Sequence, residues 1–575
     1  MRLQEYWGVG PKTADLLATE LGVEAAVEAI ESADSRALVD AGLSPGRATR
    51  ILRRASGGAG LDTLATRDAR DVYKQLLARA EEHAVTRRAA DRVRVLTPLT
   101  DRAAMEERLE RVQEAVDTWD SLDEGTRAAV LEAFEHHDGD GERAAAETAV
   151  ALSETGVETG VFAPVAALDT DALAEAAVAL RALDGDRLGA GADDELDRLR
   201  NALGRVEDMA ADPESVIEAV QTAARDAAEF QSAFVRHVAD EAGLSTDEVR
   251  TAVPTDARDA ETFVTEGLRA LATELRTQVD ERETTVAERL HATVEEAREP
   301  LDAAAEAVEE LAFLVSLARF ARAYDLTTPT LTDGDALAVT GARNVELVAA
   351  GETVQPIDYA VGDHGLDVPT GDRVAVLTGA NSGGKTTVLE TLCQVQLLAL
   401  MGLPVPAEQA TVGLVDSVVF HRRHASFNAG VLESTLRSVV PPVTEEGRTL
   451  MLVDEFEAIT EPGRAADLLH GLVTLTVDRA ALGVFVTHLA EDLEPLPDAA
   501  RVDGIFAEGL TAELELEVDY QPRFGQLGKS TPEFIVSRLV AEAEGRAERA
   551  GYEHLAAAVG EEAVQRTLAD ARWTG

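Results

Sequence analysis

Eight consecutive residues, Gly379, Ala380, Asn381, Ser382, Gly383, Gly384, Lys385 and Thr386, constrain this chain more than any others. They fill the pattern G-x-x-x-x-G-K-[ST]. Residues 373–378 before them are a short, β-branched apolar run, the texture of a buried strand. Residues 387–401 after them carry apolar side chains at helical spacing. Strand, glycine-rich loop and helix in that order predict backbone N–H groups turned inward on phosphates, backed by the positive end of the helix dipole. Lys385 would reach the β- and γ-phosphates, and the Thr386 hydroxyl would ligate Mg2+. The chain is expected to bind a nucleoside triphosphate.

At 575 residues the chain exceeds one ordinary domain, and about three to five are expected. Hydrophobic residues make up 45%, enough for sizeable cores, and aromatics only 4%, which is common in helical proteins. The single cysteine, Cys393, leaves no disulfide framework. It sits in the helix after the loop, where a packed thiol is expected. No run approaches 18 apolar residues and no leader pattern opens the sequence, so a soluble cytoplasmic protein with no membrane partner is expected. Net charge is −53, and only Lys12, Lys74, Lys385 and Lys529 are lysines. Such acidity ordinarily argues against a nucleic-acid partner. Here the acids are dispersed through every helical segment and lysine is scarce, which reads as adaptation to a very salty, halophilic cytoplasm that screens charge. Local departures from the acidic background then carry the information.

Residues 1–60 are one departure, with seven basic and eight acidic residues. They contain Gly8, Gly10 and Lys12, then Gly42, Ser44, Gly46 and Arg47, each group flanked by helical pattern. This resembles the paired helix-hairpin-helix module of DNA-repair proteins. In such a hairpin, glycines permit close backbone approach and the next helix offers N–H groups to a DNA phosphate. On that resemblance Gly8, Gly10, Lys12, Gly42, Arg47, Arg50, Arg53 and Arg54 would contact the DNA backbone without reading sequence. A small helical packing domain is the alternative. Gly57 to Gly60 read as a linker.

From about 65 to 325 the pattern is helical and rich in Ala, Glu, Arg and Leu, with turn clusters near 136–141, 183–192 and Pro254. Segments 103–119 and 262–301 are long, amphipathic and highly charged, as a lever or antiparallel coiled coil requires; an ordinary helical bundle is the alternative. After Asp333 and Asp335 the texture changes to short apolar runs with glycines, an α/β signature lasting to about residue 520. Within it, residues 450–453 form an apolar strand ending in Asp454 and Glu455, 69 and 70 residues after Lys385. Asp454 would hold the Mg2+ hydration shell, and Glu455 would orient and deprotonate the attacking water. A further strand, 483–486, ends in Thr487 and His488. His488 either senses the γ-phosphate or is a solvated strand-end histidine.

These motifs together are similar to those of the MutS family of DNA-repair ATPases. Residues 378–386 look like that family's T-G-P-N-x-G-G-K-[ST], with Ala380 in place of proline. Gly402 to Ala407, then Ala410 and Asp416, are similar to the stretch after its first ATPase helix. Ser426 and Phe427 with Glu433 resemble its signature segment, which completes the partner subunit's ATP site. Asp454-Glu455 and Phe485 to His488 match its D-E and F-x-T-H elements. Leu96 to Asp101 with Arg108 and Leu109 resembles the start of the family's helical core, and Leu314 to Ala318 the end of its lever. The chain also departs from the pattern. The mismatch-reading domain with its Phe-x-Glu wedge has no counterpart, and Phe456, Glu457, Ala458 and Ile459 stand after Glu455 in place of G-R-G-T-S. The usual R-H-P appears as Arg343, Asn344 and Val345, and after Thr531 a helical tail follows in place of a nuclease-like domain. This combination looks like the archaeal MutS-two subfamily.

The resemblance implies an ATP-hydrolysing, DNA-binding clamp, working as a homodimer on double-stranded or branched DNA in repair or recombination, with ATP and Mg2+ as cofactors. Lys385, Glu455 and His488 would be catalytic, Thr386 and Asp454 would hold the metal, and 379–386 with Ser426 would hold nucleotide. The expected fold class is multidomain α and α/β. Residues 1–60 would be the helix-hairpin-helix module, 61–330 the helical core, lever and clamp, 331–530 an ABC-type phosphate-loop ATPase, and 531–575 a helical tail. An SMC- or RecN-type chromosome ATPase is the nearest rival, but those insert their coiled coil between the two ATPase motifs, whereas here the helices precede both. A non-hydrolysing, ATP-regulated DNA tether is the rival from another class.

Overall fold

The computed structural model describes residues 3–567 except 7, 32, 136–140, 185–186, 224–226, 254–258, 380–383, 424–428, 460–461, 512–515, 529–531, 544 and 561–563. The fold is mixed helical and α/β, in two compact units: Met1–Glu124 with Leu311–Gly575, and Gly125–Glu310. The contacts thus divide the chain differently from the sequence segments, because residues 61–124 and 311–330 group with the α/β part.

The first unit is built on two sheets. Its strands are β1 (Thr330–Thr332), β2 (Ala336–Ala342), β3 (Ile357–Gly362), β4 (Val374–Gly379), β5 (Gln409–Gly413), β6 (Ser417–His421), β7 (Thr449–Asp454), β8 (Leu482–Val486), β9 (Ala500–Leu510) and β10 (Leu516–Phe524). The larger sheet has the order β10-β9-β4-β8-β7-β6, and the smaller β1-β5-β2-β3. Strands β6, β7, β8, β4 and β9 run parallel, and β10 closes the edge antiparallel. Parallel strands need cover on both faces, and β4, β7 and β8 are buried at every position. Val374, Val376, Met451, Val453 and Phe485 join one core cluster with helices Ala429–Thr444 and Pro462–Asp478. Helix Gly384–Leu400 follows β4 and is buried along most of its length, which accounts for its continuous apolar run. Cys393 lies in it fully buried, and burial pushes its thiol up, as a packed side chain requires.

Residues 64–66 explain why the early helices belong here. Leu64 bridges Val418, Ala65 N–H donates to Val418 O at 3.2 Å, and Thr66 Oγ1 donates to Phe420 O at 2.6 Å. The segment covers the outer edge of β6, which would otherwise expose unpaired backbone groups. Thr66 also caps the next helix, Arg67–Glu81, accepting from Ala69 N–H. Farther on, Leu99 N–H donates to Leu400 O at 2.8 Å and Arg108 to Met401 O at 2.8 Å.

Four helices, α1 (Pro11–Glu20), α2 (Val23–Glu31), α3 (Ser35–Asp40) and α4 (Pro45–Gly57), share a core of their own around Leu17, Ile30, Leu38, Ile51 and Leu52. Helices α1 and α4 start alike. A glycine with positive φ (Gly8 at 84°, Gly42 at 97°) precedes an extended cap (Gly10, Ser44) and then proline. Neither cap residue uses a side chain to cap its helix. Ser44 replaces the second glycine without strain, because its φ of −67° suits any residue.

The second unit is helical. Helix Ala260–Glu296 has 37 residues, about 55 Å at 1.5 Å per residue. Helices Thr170–Ala182, Asp194–Ala211, Pro213–Ala223 and Thr246–Ala252 pack on it. Ion pairs Arg282–Asp193, Arg276–Glu207 and Arg200–Glu283 join it to its neighbours. It breaks at Ala297, and Arg298–Ala323 then begins with Pro300 in its first turn, where the missing N–H costs least. Among the described residues no helix is long and apolar enough to cross a membrane.

One buried charge network ties the sheets together. Asp503 on β9 is fully buried and accepts from Arg501 Nε at 3.0 Å, Tyr359 Oη at 2.9 Å and Gly525 N–H at 3.0 Å. Asp503→Ala would leave the buried Arg501 cation with Asp372 at 3.6 Å and Ala360 O and should destabilise this unit by about 2–4 kcal/mol. A denaturant midpoint lowered in proportion, with a smaller drop for Asp503→Asn, would agree.

Candidate functional site

The parallel register decides where the predicted residues meet. Val486 of β8 lies opposite both Leu377 of β4 and Asp454 of β7. The carboxyl ends of three adjacent strands therefore open at one level, the place where open α/β sheets hold ligands. β4 ends at Gly379 and the next described element is the helix from Gly384, from β7 the chain reaches Asp454 and Glu455, and from β8 it reaches Thr487 and His488.

Gly379 has φ 121°, and a Cβ there would sit 1.9 Å from Ile505 O. Only glycine fits. Ala380, Asn381, Ser382 and Gly383 lie outside the described residues, as do Ser426 and Phe427. Gly384 opens the helix with Tyr520 of β10 packed over it, 2.4 Å from where a Cβ would stand. Lys385 is 4% exposed, and its Nζ donates to Gly379 O at 2.9 Å. Burial lowers its ammonium below the ordinary value, against the pull of Glu455, Asp454 and Glu457. Thr386 Oγ1 donates to Asp454 Oδ2 at 2.7 Å. The other Asp454 oxygen, Oδ1, is buried with no hydrogen-bond partner, and burial raises this carboxyl above its ordinary value. A hard cation at that oxygen would repair both conditions, so the Thr386–Asp454 pair fits Mg2+ and its hydration shell.

Glu455 turns away from β7 at φ 41°, with its N–H donating to Val486 O at 3.0 Å. Its carboxylate is doubly engaged: Oε1 is 3.1 Å from His488 Nε2, and Oε2 is 2.7 Å from an Arg423 nitrogen. The His488 hydrogen bond is the main reason its carboxyl is held below the ordinary value. Glu433 of the predicted signature segment is exposed and pairs with Arg437 one turn on.

Sequence reasoning missed three participants. Arg423 has no motif signal. Glu457 was legible only as an acid out of family pattern. Tyr520 comes 135 residues after Lys385. With Leu347, Gln355, Thr387, Val388 and Thr391 it lines a cavity of about 290 Å3 beside the start of the loop's helix.

The basic residues among the predicted DNA contacts fall into two sets. Lys12, Arg47 and Arg50 are exposed beside the starts of α1 and α4, and Arg47 also donates to Thr13 Oγ1 at 2.5 Å. Arg53 and Arg54 are half-buried. Arg53 Nε donates to Arg94 O at 3.0 Å with its cation over Tyr73, and Arg54 binds Gly58 O and Asp62. Arg53 thus ties α4 to the helices that follow, while Arg54 is held at the end of α4 and the turn after it.

Residues 375–491 match MutS domain V. The chain is 41% identical over 239 residues to the "DNA-binding protein MutS2" of Pyrococcus furiosus, covering 41% of each chain. It is 31% identical over 211 residues to the "Endonuclease MutS2" of Shouchella clausii, covering 36% of this chain and 26% of that one. To the "DNA mismatch repair protein MutS" of Natronomonas pharaonis it is 29% identical over 248 residues, covering 41% and 28%. The matches thus span between about a quarter and two fifths of the length of these relatives. By that domain and these identities, residues 375–491 correspond to MutS domain V and the chain is similar to MutS2 proteins.

Proposed function

We propose that this protein is an ATP-hydrolysing, DNA-binding MutS-type protein of DNA repair or recombination, acting as an ATP-gated homodimeric clamp. The observation that carries the reading is the convergence of Lys385, Thr386, Asp454, Glu455 and His488 at the ends of three adjacent parallel strands. Lys385 would meet the β- and γ-phosphates, Thr386 and Asp454 would hold Mg2+, and Glu455, steadied by His488, would take the proton of the attacking water. Mg2+ would supply charge neutralisation at the phosphate oxygens. The cavity beneath Tyr520 is the natural place for the base, since it continues from the loop along the helix. The composite ATP site of ABC-type ATPases would bring in a second subunit, which makes the isolated chain a poor ATPase. A turnover assay with and without DNA tests the reading. No hydrolysis under either condition, with ATP bound, would favour the tether instead.

For DNA, the helix-hairpin-helix reading rests on the two like-built starts of α1 and α4, with uncapped first turns beside Lys12, Arg47 and Arg50. Such starts suit phosphate oxygens, which carry no sequence information directly. A protein beginning at residue 61 should bind duplex roughly tenfold or more weakly at one fixed KCl concentration, because phosphate contacts depend steeply on salt. It should show no preference for a mismatch, as should the full chain. Undiminished affinity on truncation, or a tenfold mismatch preference, would count against the module and against non-specific binding respectively.

A further inference from the structure

Glu457 stands where the chain departs from the family pattern, and it holds the tip of the neighbouring strand. Its Oε1 accepts from Thr487 Oγ1 at 2.8 Å and from His488 N–H at 2.7 Å. Thr487 is fully buried; its own N–H donates to Leu377 O at 3.1 Å, and its hydroxyl accepts from Leu489 N–H at 3.0 Å. One carboxylate oxygen therefore pins both residues that follow β8, and through them the imidazole that meets Glu455 at 3.1 Å. Glu455 cannot secure that contact alone. Its left-handed backbone fixes where its side chain begins, but the far end depends on where the His488 ring stands.

We propose that Glu457 is a positioning residue for hydrolysis: by pinning the Thr487–His488 tip it sets the imidazole that aligns the Glu455 carboxylate. The inference rests on the ATP-hydrolysing reading. Glu457 acts through an acceptor oxygen already given to two donors, so its task needs that oxygen and not a proton. An amide can therefore replace it, which separates this role from that of a base.

The test uses the full chain as wild type, Glu457→Ala and Glu457→Gln. It measures kcat and KM, ATP affinity by equilibrium binding, and the His488 side-chain resonances of nucleotide-free protein labelled at histidine, assigned by their loss in His488→Asn. Glu457→Ala should lower kcat about 10- to 100-fold, as a misplaced catalytic group does. Its ATP affinity should stay within about threefold, since no ground-state contact to nucleotide is removed. The His488 resonances should shift in Glu457→Ala and return in Glu457→Gln together with the rate. Thr487→Val removes one of the two donors and should shift the same resonances with a smaller loss of rate, which keeps the test open if Glu457→Ala fails to fold. A Glu457→Gln protein as slow as Glu457→Ala overturns the positioning role, as do unmoved His488 resonances in both Glu457→Ala and Thr487→Val. Wild-type turnover with an unaffected Glu457→Ala overturns this role alone, whereas a wild type that binds ATP and never hydrolyses it overturns the hydrolytic reading as well.

Discussion

Glu455→Gln is expected to slow ATP hydrolysis about 10²- to 10⁴-fold, the range that a general base contributes. ATP binding should survive, because Glu455 faces His488 and Arg423 and the bond holding Lys385 runs to Gly379. Glutamine keeps the length of the side chain and one acceptor oxygen. That oxygen can accept from Arg423, and the amide NH2 can donate to His488 Nε2 in the tautomer that leaves this nitrogen bare, so the shape of the site is kept. If the ATP site is shared between two subunits, a site that closes and cannot fire should accumulate as dimer. Single-turnover kinetics measures the first effect, and sizing with and without ATP the second. Turnover within a few-fold of wild type would move the base elsewhere. A protein that stays monomeric with ATP bound would contradict the shared site.

Lys385→Ala is expected to lower ATP affinity roughly 10- to 150-fold, equivalent to about 1.5–3 kcal/mol for one charge-assisted bond. Turnover should fall further, as Asp454 and Glu455 would then face the triphosphate without the cation beside them. The fold should tolerate the change. An ammonium that is 4% exposed contributes little net stability, since its desolvation offsets the bond to Gly379 O. Equilibrium binding and the unfolding midpoint separate the two effects. Hydrolysis at the wild-type rate would refute the loop's assignment. A collapse of the midpoint with binding intact would recast Lys385 as structural.

Much of the site was legible beforehand because its parts are local. The strand and the helix on either side are encoded within about 25 residues by apolar spacing, and Gly379 between them tolerates no side chain. Asp454 and His488 could be placed at strand tips by the same apolar runs. The two like-built helix starts after Gly8 and Gly42 were visible for the same reason: positive φ favours glycine, and proline marks the first helical turn.

Short stretches of chain thus encode the local elements around the candidate site and the residue types at their tips. Tertiary structure alone decided which ends meet. The order β4-β8-β7 reflects packing between strands far apart in the chain, and it brings Glu457 under Thr487 and His488, Arg423 to Glu455, and Tyr520 over Gly384. The same holds for residues 64–66, whose role as cover for the β6 edge depends on a strand some 350 positions later. It holds also for Arg53 and Arg54, which a charge count places with the other arginines and the fold turns inward. Periodicity and turn chemistry act over a few residues, whereas strand order and side-chain partners are set by burying apolar faces across the whole unit, and no short-range pattern records that choice.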